Sequence, residues 1–203
     1  LYESQGDAPV VRIASFWTPG DRSGGNNDTI HVFSNCDAIE LFVGDTLFGR
    51  FQPDREHFPN LPHPPFVVSG ITSLGSLSGK AYQELRVVGY RDGQPAAEQR
   101  IEADGVPKQL RLVPDDTQLN ADGADMTRLV FKVTDKYGNR LPHAHSIVNF
   151  EIDGPGELIG DNPFALVGGQ AALYVKATRQ PGVVTVRASA PRLPAAEVSI
   201  TIG

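Results

Sequence analysis

Between Leu119 and Gly160 two runs of apolar residues recur at every second position, and that period marks two strands joined by a turn. Leu129, Phe131 and Val133 alternate with Val130, Lys132 and Thr134, as in a strand with one buried face. Asp135-Lys136-Tyr137-Gly138-Asn139 interrupts the run. Gly and Asn tolerate positive φ there, and Asp bonds its own backbone. Val148, Phe150 and Ile152 resume the alternation, and Gly154-Pro155-Gly156 stops it. Two such strands joined by a turn and bounded by further turns form the middle of an antiparallel β-sandwich. The stretch carries architecture and no recognisable chemistry.

The rest of the chain repeats this grammar. Val10–Trp17 is a β-rich run, followed by a Gly/Asn/Asp loop over Thr18–Asp28. Strands are expected at Thr29–Phe33, at Ala38–Val43 and Thr46–Phe51 as a hairpin, and again from Phe66 to Val68. Gln52–Pro65 bears five prolines, which lack a donor for a ladder, and reads as loop. Ser69–Gly79 is rich in Gly and Ser, and Ala81–Arg86 reads as one helical turn. Leu85–Tyr90 and Ala96–Glu102 read as a second hairpin around Asp92-Gly93. Further strands are expected at Gln109–Val113, Thr127–Thr134, Ile147–Ile152, Gln170–Ala177, Val183–Ser189 and Glu197–Ile202. Asp104-Gly105-Val106-Pro107 marks a boundary, giving domains over 1–105 and 106–203. The fold class is all-β: two tandem antiparallel Ig-like β-sandwiches. The 21 Gly and 16 Pro suit short strands and turns, and 40% hydrophobic residues suffice for two cores.

Charge excludes some partners. The net charge of −6 resides in residues 1–105, with 14 acids against 8 Lys and Arg; residues 106–203 carry 10 of each. No basic stripe exists to hold a phosphate backbone, so nucleic acid is not an expected partner. No run of about 18 apolar residues is present to span a membrane as a helix. The single cysteine, Cys36, permits no intrachain disulfide and reads as a small buried hydrophobe. The chain opens Leu1-Tyr2-Glu3, which reads as a piece of a longer protein.

Reactive constellations are scarce. Acids pair at Asp115-Asp116, Asp122 with Asp125, and Asp54 with Glu56, all in turn contexts where Asp favours local hydrogen bonds. Gln118, Asn120 and Asp122 suggest the start of a calcium loop, but Leu129 stands where the bidentate Glu belongs. Asp135, Asn139 and Asp153 are the remaining oxygen donors that folding could gather. His143 with His145, and His57 with His63, lack a third ligand nearby for zinc. There is no Gly-x-Ser-x-Gly elbow and no phosphate loop. No metal site, cofactor or catalytic residue is therefore expected. Trp17, beside the Thr18-Pro19-Gly20 loop, is the one candidate ligand-binding residue, as a platform for a sugar ring. The opposing reading buries it between sheets.

Several segments, in order, resemble the region that follows the catalytic barrel in glycoside hydrolase family 2 enzymes of β-galactosidase type. Ser34-Asn35-Cys36-Asp37 followed by Ile39-Glu40-Leu41-Phe42-Val43 resembles the family's "SNCD-x-VELF" segment, with Gly44-Asp45 where the family has Asn-Gly. His63-Pro64-Pro65-Phe66 resembles its "HPPF", and Leu85–Gly93 its "L-x-A-x-GY-x-x-G". Leu119–Asp125, Asp135–Pro142 and Val148–Gly160 resemble segments of its C-terminal Ig-like domain. The resemblance implies two accessory sandwiches behind a (β/α)8 barrel whose two Glu residues retain configuration at the sugar. The acid/base Glu of that barrel follows an Asn; this chain has no Asn-Glu pair and no strand–helix alternation. It thus implies a partner in the barrel of the same polypeptide, with homo-oligomer contacts and carbohydrate as further candidates. Secreted or periplasmic bacterial placement is favoured over cytoplasmic. Two readings from other classes stand beside this one: a carbohydrate-binding module centred on Trp17, and tandem Ig-like domains of a bacterial surface adhesin.

Overall fold

A computed structural model describes residues 1–14, 17, 29–71 and 83–203. The chain divides into two compact units, Leu1–Gly105 and Val106–Gly203. Each is an all-β sandwich of Ig-like type.

Among the described residues of the first unit a 3-10 turn, Glu3–Gln5, precedes seven strands. These are β1 (Val11–Ile13), β2 (Thr29–Ser34), β3 (Ala38–Val43), β4 (Thr46–Phe51), β5 (Phe66–Ser69), β6 (Leu85–Arg91) and β7 (Gln94–Ile101). They form one sheet in the order β1-β2-β5 and another in the order β4-β3-β6-β7. Period two explains which side faces in. Ile39, Leu41 and Val43 of β3 and Leu85 and Val87 of β6 are buried, and they meet Ile30, Val32, Phe66 and Val68 from the other sheet in one core. The β6–β7 hairpin turns at Asp92 and Gly93, both at positive φ (49° and 76°), which the right-handed twist of a two-residue hairpin demands. The proline-bearing stretch before β5 contains no strand, as expected. The helical turn expected over Ala81–Arg86 falls partly outside the described residues, and its described part, from Gln83, is not helical. Leu85 and Arg86 instead open β6, where burial of Leu85 and the β-branched Val87 and Val88 outweighs local helix preference.

The second unit has nine strands: β8 (Gln109–Pro114), β9 (Gln118–Leu119), β10 (Met126–Thr134), β11 (Ile147–Asp153), β12 (Gly156–Ile159), β13 (Phe164–Ala165), β14 (Gln170–Ala177), β15 (Gly182–Ser189) and β16 (Ala196–Ile202). Their sheets run β12-β14-β10-β8 and β13-β11-β15-β16-β9. The strands β10 and β11 therefore belong to opposite sheets, and the turn after Thr134 carries the chain across the sandwich. Leu129, Phe131 and Val133 from one side meet Val148, Phe150, Val184, Val186 and Ile200 from the other. Phe131 packs edge-on against Phe150 (4.9 Å) and Phe164 (5.2 Å). Pairing is antiparallel except at β9, which runs parallel to β16 with Gln118 opposite Thr201. Three strands escape the periodicity reading, β9, β12 and β13, because two to four residues are too few to show a period.

Candidate functional site

The sequence candidates fall into small separate groups, and the geometry of each shows what holds it. Asp54 precedes a tight turn in the proline-bearing stretch. Its carboxylate accepts the His57 backbone N–H (3.1 Å) and lies 2.9 Å from His57 Nδ1. The backbone N–H and then the imidazole lower the Asp54 pKa, while the hydrogen bond to Asp54 raises that of His57. This is a capped turn on the surface, and Glu56 takes no carboxyl–carboxyl part in it.

Asp122 and Asp125 do come together, but through backbone. Asp122 Oδ1 accepts the N–H groups of Ala124 and Asp125, both at 2.7 Å, which lowers its pKa. Asp125 Oδ2 in turn accepts Asn120 N–H (2.8 Å) and Asn120 Nδ2 (2.9 Å). The oxygens that a calcium loop would aim at an ion are spent on amides. Asp115 forms a two-pronged pair with Arg128 (2.9 and 3.2 Å), and its neighbour Asp116 donates its backbone N–H to Thr127 Oγ1 (2.9 Å).

Asp135 is buried and is the organiser of its turn. Its Oδ1 accepts the N–H groups of Tyr137 (2.9 Å) and Asn139 (2.8 Å), and its Oδ2 accepts Asn139 Nδ2 (2.7 Å). Gly138 (φ +87°) closes the turn beneath the Arg111 guanidinium, where a Cβ would sit 2.9 Å from Arg111 Cζ. Asp153, the third oxygen donor, lies on β11 in the other sheet. Among the described residues no three His, Cys, Asp or Glu side chains gather as a metal group.

Trp17 is 2% exposed and belongs to the core of the first unit, and its Nε1–H donates to the Gln83 carbonyl at 2.6 Å. Stacking on a sugar needs a bare ring face, so the ligand-binding reading of Trp17 gives way to the buried one. The neighbouring loop over 18–28 lies outside the described residues.

Two groups carry more contacts than the sequence suggested. On the outer face of the β4-β3-β6-β7 sheet, Tyr90 Oη donates to Glu40 (2.7 Å) while Arg50 pairs with Glu40 (3.3 Å) and stacks over the Tyr90 ring at 4.9 Å. The bond to Glu40 raises the Tyr90 pKa. The other group surrounds Asn35, which is buried between β2 and β3. The Asn35 Nδ2 donates to the Gly6 and Ala8 carbonyls (2.6 and 2.7 Å), and its Oδ1 accepts Val10 N–H (3.0 Å). A single Asn between two strands was the only sequence signal for it.

Comparison with known proteins decides between the readings. Residues 110–199 match the family model described as glycoside hydrolase family 2 C-terminal domain 5. The chain is 42% identical to a β-galactosidase of Thermoanaerobacter pseudethanolicus over 93% of its own length and 26% of the relative's. It is 37% identical to a β-galactosidase of Rhizobium meliloti over 85% of its length and 24% of the relative's. This chain belongs to the C-terminal accessory region of glycoside hydrolase family 2. It spans about a quarter of the length of the curated relatives it matches. A β-glycosidase from Bacteroides vulgatus shares the fold with a TM-score of 0.68, at 19% identity, over 98% of this chain and 26% of that one. The family's catalytic role lies outside the region matched here, which fits acids committed to turns and ion pairs.

Proposed function

We propose that this chain is the brace of a β-galactosidase: Leu1–Gly105 is the sandwich that follows the catalytic barrel, and Val106–Gly203 is a terminal Ig-like sandwich. The parent enzyme cleaves terminal β-D-galactosides with retention, using two glutamates on its barrel. The supporting observation is the 42% identity to a β-galactosidase across nearly the whole chain. The acid–base geometry agrees with it. A retaining pair needs two carboxyl groups about 5–5.5 Å apart and open to a sugar. The carboxylates of Asp54, Asp122, Asp125 and Asp135 are instead occupied by amides and an imidazole of their own turns. The test is turnover of an aryl β-galactoside by the parent enzyme and by these 203 residues alone. The parent is expected to turn over and the isolated chain to be inert. Turnover by the isolated chain overturns the reading.

A further inference from the structure

The segments that resemble family motifs, Ser34–Asp37 and His63–Phe66, both bond the same piece of chain. Residues 6–10 run beside the first sandwich without joining either sheet. Asn35 holds them at three points, with its amide NH2 on the Gly6 and Ala8 carbonyls and its oxygen on Val10 N–H. The carbonyls must face the NH2 and the N–H must face the oxygen, so the orientation of the amide is dictated by its partners. Ser34 Oγ–H adds a bond to the Val10 carbonyl (2.6 Å), and Arg91 from β6 spans the Asn35 carbonyl (3.1 Å) and the Asp7 carbonyl (2.7 Å). At the other end Gln5 makes a reciprocal pair with the backbone of His63: Nε2 donates to its carbonyl (2.8 Å) and Oε1 accepts its N–H (3.2 Å).

We infer that Asn35, Ser34, Arg91 and Gln5 form a clamp that fixes the direction in which the polypeptide enters the first sandwich. The clamp is a joint between sandwich and preceding chain rather than part of the sandwich core. All of its bonds run from side chains of the sandwich or of the segment to backbone, with none from a sheet ladder. A segment held by side-chain bonds and the buried Val10, outside any ladder, can open without unzipping the sheets. The inference rests on the bracing role proposed above for its use, since a brace must hold its load at a set angle. The clamp itself is tested separately from that role.

The experiment is amide hydrogen exchange of the 203-residue chain, compared with Asn35→Ala. Exchange of the Val10 amide, the one N–H in the segment that Asn35 accepts, is expected to rise at least tenfold while β3 and β6 keep their native rates. No rise at Val10 overturns the clamp. Should Asn35→Ala loosen β3 and β6 equally, Gln5→Ala decides at the half-buried end. A rise confined to the first six residues upholds a separable joint, and no change overturns it. Either result leaves the turnover assay, and hence the bracing role, to stand or fall on its own.

Discussion

Polar side chains do different work in the two units. In the first, the bonds that matter close long loops: Asn35 to Gly6, Ala8 and Val10, Gln5 to His63, and Arg91 to Asp7. In the second the turn-forming acids close short ones: Asp135 to Tyr137 and Asn139, Asp122 to Ala124 and Asp125, and Asn120 to Asp125. A short closure costs little chain entropy and forms within its own turn, whereas a long one requires the sheets to be assembled first. Asp122, Asp125 and Asp135 of the second unit therefore make their own turns on its core. The first unit is a core onto which a distant segment has been tied.

The hardest test of that contrast is Phe131→Ala. Its ring is fully buried between Phe150 and Phe164, so removal is expected to destabilise the second unit by about 3–5 kcal/mol. Thermal unfolding followed by exchange should show the loss in β10, β11 and β14, with β3 and β6 unchanged. Equal loss in both units would show that they do not hold separate cores.

Asp135→Ala is expected to cost less, about 1–3 kcal/mol, because two backbone N–H groups lose a buried acceptor. If the turn is self-made, faster exchange is confined to residues 135–141. Loosening that reached β14 would break the distinction between local and long closures.

The smallest effect belongs to Asp54 and His57. The His57 pKa is raised, so its contribution to stability is present below about 6.5 and fades as pH rises through the folded value. That of Asp54 is lowered, so its contribution is present above about 3.8 and fades as pH falls through the folded value. The pair is thus strongest between those limits. In Asp54→Asn the His57 titration, read by NMR, should move down towards that of a free imidazole. An unmoved titration would show that the turn is not closed by this pair.

The same division governs what could be read from residues alone. The β3–β4 hairpin and β14 fall at Ala38–Val43, Thr46–Phe51 and Gln170–Ala177, where alternation predicts them, because period and turn chemistry are local properties. The roles of Asp122 and Asp135 were legible for the same reason, since an Asp in a turn bonds its neighbours. The clamp was not, because nothing in Ser34–Asp37 announces that its partner lies 24 or more residues upstream. Trp17 shows the same gap. Its partner is the Gln83 carbonyl, 66 residues away, and a Trp beside a loop looks alike in sequence whether bare or buried. The crossing of the chain from β10 to β11, and the parallel β9–β16 pair, are likewise properties of assembly and leave no local trace.

The thiol of Cys36 sits directly beneath the clamp, 4% exposed, in room left by Gly89; a Cβ on that glycine would lie 2.6 Å from the sulfur. With no other cysteine in the chain, this sulfur is a built-in chronometer. Reagents that alkylate thiols reach it only while the surrounding β2–β3 corner gapes, so the pace of labelling counts those openings one molecule at a time, without a probe having to be engineered in.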